Sequence, residues 1–106
     1  MRRVNEAVRE VLSARIAEGL NDPRIGFVTL TSVDTSTDLS QARVYVSVLG
    51  DEAERSETMA GLGSAHGLLQ QAIGRELRMK RTPTLQFVFD ESIDRGMRIT
   101  ELLDEE

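Results

Sequence analysis

Two segments near the middle of the chain alternate between apolar and polar residues with a period of two. Val28 and Leu30 alternate with threonines, and residues 42–48 (ARVYVSV) place a small or branched apolar side chain at every second position. Because successive side chains of a β-strand point to opposite faces, both segments are predicted strands. The polar stretch 34–38 (DTSTD) between them is typical of a turn. The sequence therefore predicts an antiparallel hairpin of residues 27–33 and 42–48 with one apolar face.

A predicted helix precedes this hairpin, over residues 3–19. Its apolar side chains recur at intervals of three and four residues: Val4, Val8, Val11, Leu12 and Ile16. Gly19 and the NDP sequence at 21–23 are expected to end it.

A second helix is predicted after an acidic loop at residues 51–57, beginning at Ser56 as its capping residue. Its periodicity is interrupted by Gly61, Gly63 and Gly67. Each glycine inside a helix costs about 1 kcal/mol relative to alanine. We therefore expect a break in the helix rather than one straight rod. The predicted kink consists of Ala65, His66 and Gly67.

The helix after the kink is predicted to continue to Thr82-Pro83, with Gln71, Arg75 and Arg78 projecting outward. Its predicted buried face consists of Leu69, Ala72, Ile73 and Leu77. Residues 85–89 (LQFVF) place apolar side chains at every second position and are predicted as a third strand. Residues 91–106 are predicted to form an acidic, partly helical extension. The element order α-β-β-α-α-β predicts an α+β fold with a three-stranded sheet and a helix-kink-helix in a domain of residues 1–90.

Length and composition restrict the class of protein. A chain of 106 residues allows one domain and excludes a second. It has no cysteine, so neither a disulfide framework nor a thiolate metal site can form, and we expect a reducing, cytoplasmic environment. No stretch approaches the ~20 apolar residues that cross a membrane, so no membrane partner is expected.

Charge is distributed unevenly along the chain. At first sight the net charge of −5 opposes binding of nucleic acid, whose phosphates need a basic surface. However, residues 51–57 carry −3 and residues 90–106 carry −5, which leaves +3 on the other 82 residues. The densest basic cluster is RELRMKR at 75–81, with Arg75, Arg78, Lys80 and Arg81 against one glutamate. A charge run is usually only a solvated face, but here it follows the kink.

Enzymatic and metal sites find little support in the sequence. His66 is the only histidine, Ser64 lies two residues away, and no G-x-S-x-G motif is present. A structural zinc site lacks ligands, and the GLGSAHG stretch fails the dinucleotide-binding pattern because His66 stands where the third glycine is required. Asp90, Glu91 and Asp94 are more typical of acids at a helix start than of Mg²⁺ ligands. We expect no cofactor and no catalysis.

The helix-kink-helix does suit a nucleic-acid backbone. In KH domains a Gly-x-x-Gly loop between two helices holds the backbone of about four nucleotides. A glycine at such a junction permits close approach of another backbone and leaves helix N–H groups available to an anion. An alternative interpretation is that Gly67 only permits tight helix packing, and spacing alone does not decide between the two.

Several motifs in the same order resemble the bacterial ribosome-binding factor A family. They are NDPRIGFVTLTSV (21–33), DLSQARVYVSVLG (38–50), the Ala65-x-Gly67 kink, and RTPTLQFVFDES followed by GMRITELL. The resemblance implies a type II KH-like fold in which an Ala-x-Gly kink replaces the Gly-x-x-Gly loop. It also implies a cytoplasmic, non-enzymatic factor, expected to be monomeric. Such a factor binds the small ribosomal subunit, assists maturation of its precursor RNA and supports growth in the cold.

Carried over to this chain, the resemblance places RNA contacts at Ala65, His66, Gly67, Arg75, Arg78, Lys80 and Arg81. Arg3 and Arg9 on the first helix are added as further candidates for phosphate contact. Two other functions stay open: a protein-binding module that uses the exposed strand edge or a C-terminal helix, and a KH-like binder of single-stranded RNA unrelated to ribosomes. Against the latter, the chain has no tryptophan and only four aromatic residues to stack on bases.

Overall fold

The predicted hairpin is confirmed in a computed structural model that describes residues 2–90 of the chain. Strand β1 (Val28–Thr35) pairs antiparallel with β2 (Gln41–Val48), and β3 (Thr84–Phe89) lies parallel to β2 on its other side. The sheet order is therefore β1-β2-β3, with β2 in the centre. The predicted C-terminal extension, residues 91–106, lies outside the described residues.

Strand β1 is longer than predicted and contains an irregularity that the alternation does not reveal. The pairing register shifts between Leu30 and Ser32, so the buried positions pass from Leu30 to Val33. The two consecutive polar residues at 31 and 32 correspond to this bulge, which adds a residue to one strand of the pair. The Thr31 hydroxyl lies 2.8 Å from Asp90 Oδ2 and 3.1 Å from the Tyr45 carbonyl oxygen.

The hairpin turn follows Thr35 and is therefore later than the predicted 34–38. It is organised by Asp38, whose Oδ1 accepts from the Ser40 hydroxyl at 2.7 Å, the Ser36 hydroxyl at 2.8 Å and the Ser40 backbone N–H at 3.1 Å. These bonds, led by that of the Ser40 side chain, lower the pKa of Asp38 to about 2. Leu39 completes the turn with a positive φ of 61°.

Three helices form in the expected order. Helix α1 (Arg2–Glu18) ends at Gly19, which has a φ of +94°. Helices α2 (Glu52–Ser64) and α3 (His66–Glu76) are separated only by Ala65, so the predicted kink is confirmed. The order α1-β1-β2-α2-α3-β3 is the predicted α+β arrangement.

The predicted start of α2 at Ser56 is wrong, and residues 51–57 are not a loop. Asp51 is the capping residue: its Oδ1 accepts from the Glu54 N–H at 2.8 Å, and Glu54 Oε1 accepts from the Asp51 N–H at 3.4 Å. This reciprocal capping box satisfies N–H groups that the first turn would leave unpaired. The acidic residues that follow lie where the positive end of the helix dipole stabilises them.

The predicted continuation of the next helix to Thr82-Pro83 is also wrong, because α3 ends at Glu76. Arg78 adopts a positive φ of 50°, a conformation that stops a helix. The chain then folds back onto the helix, and a Cβ atom added to Gly74 would lie only 2.6 Å from Thr82 Oγ1. Gly74 therefore makes room for the returning chain, residues 77–83, which we call the basic turn.

The hydrophobic core lies between the helices and one face of the sheet. Strand β2 contributes most to it, since alternate residues from Ala42 to Val48 are buried along the whole strand. The other buried apolar residues are Val8, Val11, Leu12, Leu30, Val33, Leu62, Leu69, Ile73 and Leu85. The opposite face of the sheet, called the outer face below, carries exposed residues such as Arg43 and Gln86. The helices and the kink therefore all lie on the same side of the sheet.

Candidate nucleic-acid interface

The kink joins two helices through a single residue. The Ala65 N–H lies 3.1 Å from the carbonyl oxygens of both Gly61 and Leu62, and the Ala65 carbonyl oxygen accepts from the Leu69 N–H at 3.1 Å. Ala65 thus closes α2 and opens α3 at once. Because its side chain has no acceptor, α3 begins without a side-chain cap. The first N–H groups of a helix attract anions when no side chain occupies them.

Gly67 faces open space. An added Cβ atom would meet no heavy atom within 4 Å among the described residues outside its own helix turn, and the same is true of Gly63. Packing among residues 2–90 therefore does not require a glycine at position 67. Gly61 does have that packing role, since its added Cβ would lie 2.6 Å from Ile25 Cγ1. Gly61 therefore differs from Gly63 and Gly67, since only Gly61 is required for packing within residues 2–90.

His66 is exposed, and its ring orientation is defined by a backbone contact. Its Nδ1 lies 2.6 Å from the carbonyl oxygen of Gly63. A carbonyl oxygen can only accept a hydrogen bond, so Nδ1 carries the hydrogen of this contact. Ser64 does not serve as its partner, because the Ser64 hydroxyl accepts from Arg24 Nη2 at 3.0 Å. The nucleophile-base pair considered from the sequence is not formed.

The four residues of the basic cluster do not lie along one helix, which corrects the expectation of a continuous basic helix. Only Arg75 belongs to α3, in its last turn, whereas Arg78, Lys80 and Arg81 lie in the basic turn. All four side chains are exposed. With a rise of 1.5 Å per residue, α3 places the basic turn about 15 Å from the kink. The expected surface therefore extends along α3, with the kink at one end and the basic turn at the other.

The one acidic residue within the cluster is engaged elsewhere. Glu76 forms an ion pair with Arg15 of α1, which also approaches Glu18 at 3.7 Å. The pair joins α1 to α3 and is half exposed, so its contribution to stability is small. Because the Glu76 carboxylate is paired with Arg15, its negative charge offsets that of Arg15 rather than that of the basic cluster.

The two candidate residues of α1 lie apart from the kink. Arg3 is exposed in the first turn of the helix. Arg9 lies 3.5 Å from Glu6 and lines a cavity of about 780 Å³ between α1 and the chain that leads into β1. Phe27, which is 80% exposed, lies at the rim of that cavity. The structure therefore does not group Arg9 with the residues of the kink.

Arg24 lies close to the kink and was not identified from the sequence. Its Nη2 reaches Ser64, the last residue of α2, as described above. Asp22 holds the same guanidinium through two contacts, from Nε to Oδ1 at 3.1 Å and from Nη2 to Oδ2 at 2.7 Å. The Arg24 bonds hold the pKa of Asp22 below its ordinary value. The D-P-R spacing is compatible with this turn, but its contact with Ser64 spans 40 positions and has no local sequence signal.

Among residues 2–90, the acidic run lies away from the kink, and the Asp22 carboxylate near the kink is paired with Arg24. The acidic run 51–57 occupies the beginning of α2, and the kink follows the other end of that helix, about 12 to 21 Å from the run at the rise of a helix. Asp90 accepts from Thr31, while Glu91 and Asp94 lie outside the described residues. No group of three or more metal-binding side chains occurs in the described part. None of its helices is long and apolar enough to cross a membrane.

Comparison with known proteins gives a consistent result. A family model for ribosome-binding factor A matches residues 1–103. A ribosome-binding factor A from Anaeromyxobacter dehalogenans (strain 2CP-C) is 55% identical over 104 residues, which cover 97% of this chain and 75% of that protein. One from Geobacter sulfurreducens is 47% identical over 103 residues, which cover 97% of this chain and 87% of that protein.

Solved structures support the fold. The crystal structure of ribosome-binding factor A from Thermus thermophilus has a TM-score of 0.74 at 30% identity, covering 83% of this chain and 92% of that one. A homology model of the Thermus thermophilus factor, fitted into the cryo-EM map of its complex with 30S, has a TM-score of 0.67 at 30% identity, with coverages of 80% and 89%. The expected KH-like α+β fold is confirmed. The chain belongs to the ribosome-binding factor A family.

Proposed function

We propose that the protein binds folded RNA of the small ribosomal subunit through the kink, Arg75 and the basic turn. The observation that carries this proposal is the open space at Gly67, beside the uncapped first turn of α3. A glycine that no neighbour within residues 2–90 requires is suited to the close approach of a backbone from another molecule. The Thermus relative, a factor fitted into the map of a complex with 30S, supports the choice of RNA.

The proposed contacts are of two kinds. At Ala65, His66 and Gly67, backbone N–H groups and the His66 ring meet the RNA backbone. At Arg75, Arg78, Lys80 and Arg81, charged side chains meet phosphates. Arg3 and Arg9 are secondary contacts, because α1 places them away from the kink. Recognition then depends on the shape and backbone of folded RNA rather than on base stacking.

The proposed action requires no chemical step by the protein. A ligand shifts a conformational equilibrium only by its different affinities for the two states. By binding one conformation of the immature subunit more tightly, the protein would assist maturation of the precursor RNA and support growth in the cold. We propose that it acts in the cytoplasm as a monomer without catalytic activity, using residues 1–90 for RNA and residues 91–106 as an acidic extension.

The test is cosedimentation with purified small subunits across a series of salt concentrations. A variant with Arg75, Arg78, Lys80 and Arg81 all changed to Gln loses the charges of the proposed surface and keeps its glycines. We expect affinity to fall by about two orders of magnitude and the salt slope to fall by about one for each lost phosphate contact. Circular dichroism establishes that the variant is folded.

The matched control changes the outer face of the sheet by the same net charge, with Gln41→Glu, Arg43→Glu and Gln86→Glu. All three positions are exposed there. We expect a much smaller loss of affinity, from long-range repulsion alone, which salt screens. Equal losses in the two variants would mean that overall charge, not the proposed surface, governs binding. An unchanged affinity in the Gln variant would favour contact with ribosomal proteins instead.

A further inference from the structure

The turn formed by Asp22, Pro23 and Arg24 holds one guanidinium in a fixed position. Asp22 Oδ1 accepts from the Arg24 backbone N–H at 2.9 Å and from Nε at 3.1 Å, and Asp22 Oδ2 accepts from Nη2 at 2.7 Å. Two parallel bonds between a guanidinium and a carboxylate restrict the orientation of both groups. The Asp22 side chain is only 19% exposed, whereas that of Arg24 is 45% exposed. The pair is thus supported on the protein side and accessible on the other.

The same turn is attached to the last two turns of α2. The Thr58 hydroxyl donates to the Arg24 carbonyl oxygen at 3.3 Å and accepts from the Gly26 N–H at 3.2 Å. Thr58 is 1% exposed, so these bonds are shielded from water. Ile25 packs against Gly61, where a Cβ atom would clash. The position of Arg24 relative to the end of α2 is therefore set by packing as well as by polar contacts.

The direct contact with the kink region is made by the side chain itself. Arg24 Nη2 donates to Ser64 Oγ at 3.0 Å, and Ser64 immediately precedes Ala65. The side-chain bonds of Arg24 use Nε and Nη2. Within residues 2–90, Nη1 makes no hydrogen bond, so its two N–H groups are available to an acceptor from outside. A guanidinium held in this way loses little freedom when it binds a phosphate.

We propose that Arg24 is an RNA-phosphate-binding residue next to the kink, with Asp22 and Ser64 as its positioning residues. This inference rests on the proposed function, because the phosphate belongs to the RNA backbone that is proposed to lie along the kink. Asp22 offsets much of the charge of Arg24 at long range. The contribution of Arg24 is therefore a short-range, directed pair of donors and not general attraction of RNA.

The experiment measures affinity for purified small subunits and its salt dependence for Arg24→Gln, Arg24→Lys and Ser64→Ala. For Arg24→Gln we expect a loss of about tenfold, as for one charge-assisted hydrogen bond, and a salt slope lower by about one. Arg24→Lys keeps the charge and loses the fork, so it should retain the slope and lose part of the affinity. Ser64→Ala should weaken binding about threefold with the slope unchanged, since the phosphate contact stays.

Arg43→Gln is the matched control, because it removes an exposed arginine from the outer face, and its affinity should equal that of the unaltered protein. Thermal unfolding separates a lost contact from a lost fold. If Arg24→Gln destabilises the loop of residues 19–27, the affinities of Arg24→Lys and Ser64→Ala still test the role of Arg24. Unchanged binding by both Arg24 variants, with weakened binding by the variant of the basic cluster, overturns the role of Arg24 alone. Failure of the unaltered protein to bind subunits overturns this role and the proposed function together.

Discussion

At its amino end, α2 begins with Asp51 in a closed capping box, whereas at its carboxyl end it runs through Ala65 into a helix that has no side-chain cap. The first end is acidic and completes its own hydrogen bonds. The second end has glycines facing open space at positions 63 and 67. The chain therefore caps one terminus of α2 with local side chains and leaves open space beside the other, where we propose that RNA binds.

The open end is nevertheless firmly held from behind. Thr58 and Gly61 attach the α1–β1 loop, residues 19–27, to the inner side of α2, and Arg24 reaches Ser64 just before the kink. Rigid support beneath an open surface suits a binding site, because less order must be created when a partner binds. The two ends of α2 thus differ in side-chain capping and in the space around them, although both are held in place.

The largest expected loss of stability comes from a change that removes the support of the kink end of α2. Gly61→Ala would place a Cβ atom 2.6 Å from Ile25 Cγ1, so the loop must move away from α2. Overpacking of this kind costs about 2 kcal/mol. We expect the free energy of unfolding in urea to fall by that amount and RNA affinity to fall with it. Gly63→Ala, two positions later in open space, is the control and should be as stable as the unaltered protein or more so. Equal stability of the two variants would contradict the packing.

A smaller effect is expected at the closed end. Asp51→Ala removes the acceptor for the Glu54 N–H and should lower the free energy of unfolding by about 1 kcal/mol. Asp51→Asn retains an acceptor and should restore most of that loss. Neither change should alter affinity for small subunits, since the cap is about 20 Å from the kink. If the Asp51→Ala variant is fully folded but binds small subunits more weakly, the two ends of α2 are coupled.

The same contrast explains what the sequence could and could not predict. The hairpin, the element order and the kink follow from local periodicity and from glycines that disfavour a continuous helix. The start of α2 was also encoded locally, in the D-x-x-E spacing of Asp51 and Glu54, but Ser56 offered a competing cap. The bulge in β1 was indicated only by two consecutive polar residues at 31 and 32.

Features that depend on tertiary contacts were not predictable from local patterns. Helix α3 ends at Glu76 because the chain folds back and places Thr82 against Gly74. Arg24 approaches Ser64 across 40 positions of the sequence, so no spacing rule points to it. The basic cluster was correctly found as exposed charge, but its distribution between one helix turn and the basic turn required the structure. Local patterns thus located the candidate site, and long-range packing determined its shape.

The smallest expected change in stability comes from Gly67→Ala, which best distinguishes the kink end of α2 from its capped end because stability and affinity should change in opposite directions. Gly67→Ala adds a Cβ atom where no other group of residues 2–90 lies within 4 Å, and Gly67 does not have a positive φ. Alanine favours a helix over glycine, so the free energy of unfolding should rise by about 0.5 kcal/mol. Affinity for small subunits should nevertheless fall about tenfold, because the added methyl group occupies the space proposed for the RNA backbone. A more stable protein that binds as well as before would show that the open glycine is not a contact, whereas a gain in stability with a loss of binding is expected only of a position kept open for a partner.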